Sequence, residues 1–150
     1  MQTIWTRIAF AAITLFSVAP TVEGAVPFPK TNQETCALLA PQVASMVLKG
    51  SAAPDPVQLS TTICLWKVPL LRLKSPFLTY EISRGKAGCG HCTRSVAGVG
   101  DAAFWVEQTR TLYASKNNVF VSVQMKAWDG TPIGDADGLS AVAREILRHF

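Results

Sequence analysis

Cys89-Gly90-His91-Cys92 is the string of this chain best equipped for chemistry. Two thiols at this spacing can close a disulfide, reopen it and exchange it with another protein. An adjacent positive group or a helix N-terminus would hold the attacking sulfur as thiolate. The same string offers sulfur and nitrogen donors to a soft metal. Three other stretches carry weaker signals. Gly98-Val99-Gly100-Asp101-Ala102-Ala103 fits the letters of a dinucleotide-binding turn. Asp135-Ala136-Asp137-Gly138 has part of the oxygen spacing of a calcium loop. Arg84, Lys86, His91 and Arg94 place positive charge around the cysteine pair, suited to an acidic partner.

Context decides among these chemistries. The tetrapeptide resembles, letter for letter, the active-site string of protein disulfide isomerases. In that fold the motif opens a helix just after a strand, usually behind an aromatic residue. Here Ala87-Gly88 precede it, and Gly98 and Gly100 soon follow. The expectation is a local Cys89–Cys92 bridge bracing a glycine-rich loop, with thiol–disulfide exchange as the alternative. Residue 93 is Thr, so the pattern of a covalently attached haem is broken. Zinc would need a second ligand pair, and only His91 and His149 are on offer beside Cys36 and Cys64. No metal and no cofactor are expected.

The other strings have plainer structural roles. A dinucleotide turn needs a helix after it, whereas 103–108 reads as a strand, so a tight turn held by Asp101 is expected. The Asp135 string lacks the remaining oxygen ligands, so Asp137 is expected to cap a helix. No GxSxG, HExxH or P-loop string occurs, and no spacing brings two of Glu34, Glu81, Glu107 and Glu145 together. The reading therefore leans away from an enzyme and names no catalytic residue. His149, near the end of a helix, suits the helix dipole. Trp66, Trp105 and Trp128 are expected in or beside the core, with one available to line a pocket.

The elements that must position these residues follow from periodicity. Thr31 with Glu34 can make a capping box, and Pro41 suits the first position of a second turn of helix. Val43, Met46 and Val47 recur at helical spacing until Gly50. Residues 51–60 read as a loop. Strands are expected at 63–67, 70–74, 77–84, 103–108, 111–116 and 119–128, although the weak 70–74 stretch leaves the sheet at about five. In the last of them Val119, Val121, Val123 and Met125 alternate with Phe120, Ser122, Gln124 and Lys126. Asn117-Asn118 marks the hairpin before it. Leu139, Val142, Ala143, Ile146, Leu147 and Phe150 then form one apolar helical stripe. The fold class is α+β: an antiparallel sheet of about five strands with an N-terminal and a C-terminal helix packed on one face.

The N-terminal segment and the cysteines point to an exported domain. The 150 residues are 49% hydrophobic and 16% charged, with a net charge of +4. That excludes a disordered, highly charged chain, and the charge is too small and scattered to suggest nucleic acid. The apolar excess begins at the N-terminus: Arg7, an uncharged run over 8–18, Pro20, then small residues up to Gly24. This is the order of a secretory signal peptide and too short for a membrane span of roughly 20 residues. Residues 1–24 are read as the signal and 25–150 as one domain in an oxidising, periplasmic or secreted setting. All four cysteines lie after the cut. A Cys36–Cys64 bridge would tie helix to strand, leaving Cys89 and Cys92 to pair locally. Other connectivities stay open on sequence alone.

Cys36-Ala-Leu-Leu, Gly50, Cys64-x-Trp66, Gly98-x-Gly-Asp-x-Ala and the final amphipathic helix together look like a known group. The chain resembles small exported bacterial domains, many of them lipoproteins of unknown function. The resemblance implies the helix-to-strand disulfide and the α+β order, and it implies no catalytic residues. This chain lacks the lipid-bearing cysteine at the cut and adds the CxxC pair. The function expected is a non-enzymatic binding protein of the bacterial envelope, such as an inhibitor or immunity protein. Its partner would be an envelope protein, without nucleic acid or stable membrane insertion. A thiol–disulfide oxidoreductase and a small-ligand or lipid carrier are the alternatives.

Overall fold

Side-chain alternation across facing strands builds the sheet. The computed structural model describes residues 27–55, 60–69, 75–88 and 91–150. The signal segment 1–24 and the expected strand at 70–74 lie outside these residues. Among the described residues three helices are present: α1 (Asn32–Cys36), α2 (Pro41–Leu48) and α3 (Ala136–Leu147). The strands are β1 (Ala53–Pro54), β2 (Ile63–Lys67), β3 (Phe77–Arg84), β4 (Arg94–Ser95), β5 (Ala102–Val106), β6 (Thr111–Lys116) and β7 (Val119–Lys126). They form one antiparallel sheet in the order β1-β2-β3-β7-β6-β5-β4. The α+β class stands, but among the described residues the sheet has seven strands, not about five. The additions, β1 and β4, are two residues long and fall in stretches read as loops. Two residues show no period, so only their partners reveal them.

One face of the sheet carries the core. A register row runs Cys64, Tyr80, Val123, Leu112, Trp105, all buried. The α3 stripe of Leu139, Val142, Ala143, Ile146 and Leu147 is buried in the same cluster. The Cys36–Cys64 disulfide fixes α1 to this inner face, with Cα atoms 5.2 Å apart. Tyr80 Oη donates to Thr35 O at 2.6 Å and docks α1 a second time. Desolvation by burial pushes the Tyr80 hydroxyl well above its ordinary pKa, only partly offset by Trp66 beside it. Among the described residues no helix packs on the outer face. No helix among the described residues is long and apolar enough to cross a membrane.

Several local expectations are corrected. The N-terminal helix is two helices, because α1 ends at Cys36 and α2 restarts with Pro41 at its first turn. The Thr31–Glu34 capping box does open α1. Lys49, not Gly50, takes the left-handed conformation after α2, at φ 54°. Gly50 is small for another reason: a Cβ there would lie 3.0 Å from Val68 Cγ2. Asp135, not Asp137, caps α3 by accepting from Gly138 N at 2.7 Å. Asn117 and Asn118 both have positive φ and turn the β6–β7 hairpin as expected.

Candidate functional site

The basic residues read from the sequence divide between two places. Arg84 ends β3, and its guanidinium stands 5.1 Å from the centroid of the Phe28 ring. Phe28 in turn meets Phe150 with centroids 6.4 Å apart. Lys86 follows two residues on and is exposed, while Gly85 N donates to Asn118 O beside it. His91 is exposed, and Arg94 lies in β4 opposite Trp105. Between β3 and β4 stand β7, β6 and β5. Four strand spacings take roughly 19 Å. Arg84 and Lys86 are therefore brought together, while His91 and Arg94 belong to the far edge. The glycine-rich connection owes its length to this crossing.

Two lysines absent from that reading join Arg84 and Lys86. Lys116 ends β6 and donates from Nζ to Leu147 O at 3.3 Å, at the carbonyl end of α3. Lys30 shares a cleft of about 430 Å³ with Phe28, Glu34 and His149. Nearby carboxylates are already engaged. Glu34 accepts from the backbone N–H of Lys30 at 2.6 Å, Asp101 from that of Asn117 at 2.9 Å, and Glu145 pairs with Arg148 at 2.8 Å. Among the described residues, Lys30, Arg84, Lys86 and Lys116 form no ion pair. They make one basic end of the molecule. Sequence spacing gave no sign of Lys30 or Lys116, because only strand register and the docking of the lead-in bring them there.

Cys92 is disulfide-bonded and half-buried, while Cys89 lies outside the described residues. The chain passes from Cys92 through Thr93, whose N–H donates to Trp105 O at 2.9 Å, into β4. A strand follows the motif where a thioredoxin-type site would have a helix, so no helix N-terminus stabilises a thiolate here. Gly98 and Gly100 serve the fold as well. Gly100 has φ +61°, and a Cβ there would run into Ser115 O. That oxygen accepts from Asp101 N at 2.7 Å. The expected turn into β5 is thus present, with Asp101 reaching across to Asn117. Among the described residues no three His, Cys, Asp or Glu side chains gather where one ion would bind.

Trp66 and Trp105 are buried as expected, whereas Trp128 is 55% exposed. Trp105 Nε1 donates to Glu107, which lies just beyond β5, not in it. Trp66 Nε1 is buried without a hydrogen-bond partner among the described residues. Trp66 also lines an apolar groove of about 470 Å³ with Leu39, Pro41, Pro54 and the Cys36 bridge. Its rim carries the buried Asp55, ion-paired with Lys67. Fold and site together define a disulfide-stapled α+β protein with a basic end and an apolar groove. Comparison with family models, with curated proteins and with solved structures finds no match.

Proposed function

We infer that the protein is exported to the bacterial envelope and binds an acidic protein partner through its basic end, without catalysing a reaction. The observation that carries this is the gathering of Lys30, Arg84, Lys86 and Lys116, from three parts of the chain, with no ion pair among them in the described residues. Unpaired cations on a rigid sheet end attract and orient an acidic surface. An inhibitor of an envelope hydrolase or an immunity protein against a toxin is the concrete form of such a partner relationship. The Cys36–Cys64 bridge supports a compartment where disulfides persist.

Affinity capture from periplasmic extract is the test. One dominant partner is expected, released by moderate salt because surface charges are screened. Reversing Arg84 and Lys86 to Glu should abolish retention, while reversing Arg94 should leave it nearly unchanged. Equal loss from both changes, or turnover in an activity screen with no partner retained, would overturn the proposal. The groove at Trp66 favours a second reading, a carrier of a small apolar ligand. Native mass spectrometry decides it: a ligand released by widening or filling the groove supports the carrier, and an empty protein argues against it.

A further inference from the structure

A hollow on the outer face of the sheet has a charge pattern that the fold leaves unused. It measures about 250 Å³ and is lined by Ile63, Thr79, Glu81, Ser122, Gln124 and Lys126. Register explains the grouping. Ile63 pairs with Glu81, Glu81 with Ser122, and Thr79 with Gln124, so these side chains share one face. Lys126 lies further along β7, roughly 13 Å from Ser122 by strand rise and one strand from β3. The carboxylate and the ammonium thus stand at opposite ends of the hollow. Among the described residues neither is ion-paired, and the hydroxyls of Thr79 and Ser122 between them make no side-chain hydrogen bond. Gln124 is anchored by its Nε2, which donates to Thr111 Oγ1 at 2.6 Å.

Rigid strands keep the two charges apart, so only a ligand carrying both opposite charges can satisfy them together. We propose that this hollow binds a short zwitterionic peptide, with its amine at Glu81 and its carboxylate at Lys126. The backbone amides of the peptide would meet Thr79, Ser122 and Gln124. An extended peptide advances about 3.5 Å per residue, so two or three residues with a hydrogen bond at each end match the span of roughly 13 Å. The volume lies just below the roughly 300 Å³ where drug-sized pockets begin, in keeping with so small a ligand. Each solvent-accessible charge contributes little alone, so recognition needs both, and a dissociation constant near 1 mM is expected. The hollow is on the face opposite the Trp66 groove and does not include the basic end, so this site is independent of the partner proposed above.

The probe is triglycine, with its N-acetylated and C-amidated forms, titrated into the isotopically labelled protein and followed by NMR. Free triglycine should shift the amides of Thr79, Glu81, Ser122, Gln124 and Lys126. Each blocked form should bind about fivefold or more weakly. In Glu81→Gln the penalty for acetylation should vanish while that for amidation remains, and in Lys126→Met the reverse. Blocked and free peptides that bind wild type equally would overturn the proposal. So would shifts confined to another surface, no shifts at about 10 mM peptide, or variants that keep both penalties.

Discussion

Tyr80 shows how one buried polar atom couples packing to pH. Its hydroxyl keeps its proton to donate to Thr35 O, and burial holds its pKa well above that of a free tyrosine. An unfolded tyrosine ionises near pH 10. Above that pH the folded state binds more protons than the unfolded one, so stability falls as pH rises. The contribution is present in full below about pH 10 and is lost as the pH climbs toward the raised folded value. Tyr80→Phe should cost about 1 kcal/mol at neutral pH, because a buried hydrogen bond is lost while Thr35 O keeps the backbone N–H of Leu38. It should also flatten the alkaline decline, which urea midpoints at neutral and alkaline pH would measure. Cys92 makes the opposite expectation at the same scale. With a strand after the motif, Cys92→Ser should leave insulin reduction at the rate of the wild-type protein; a clear drop would restore the oxidoreductase.

At the scale of elements, short helices and turns rest on a few covalent or steric fixtures. The five-residue helix α1 is too short to persist by itself. The Cys36–Cys64 bridge, closing a separation of 28 residues, and the Tyr80 bond hold it. Replacing both cysteines by Ala should cost about 3–4 kcal/mol on the chain-entropy model, read from denaturation midpoints. The turn into β5 offers a paired test. Gly98→Ala meets no atom within 4 Å and should cost only the roughly 1–2 kcal/mol of its positive φ. Gly100→Ala drives a methyl into the Ser115 carbonyl and should cost more than about 3 kcal/mol. Equal costs would show that the carbonyl yields. These elements were largely legible in advance: the capping box, Pro41, the Asn-Asn hairpin and the α3 stripe each have a local signature. The two-residue strands had none, and nothing local distinguishes Asp135 from Asp137 as the cap.

Across the whole molecule, topology decides which residues become neighbours. Arg84, Lys86, His91 and Arg94 lie within one short stretch, yet the crossover from β3 to the far edge divides them. Lys30 and Lys116 are distant in the chain and arrive beside Arg84 because the lead-in docks on Phe150 and β6 ends next to β7. The same logic separates Glu81 from Lys126 along the outer face, and among the described residues neither forms an ion pair. Local sequence determined element type, the turn residues and the apolar faces, since these depend on side-chain period and on φ preferences within a few residues. Strand order, the basic end, the Trp66 groove and the outer hollow were decided only by the tertiary structure. They depend on register between strands far apart in sequence, and no local energy term specifies that register.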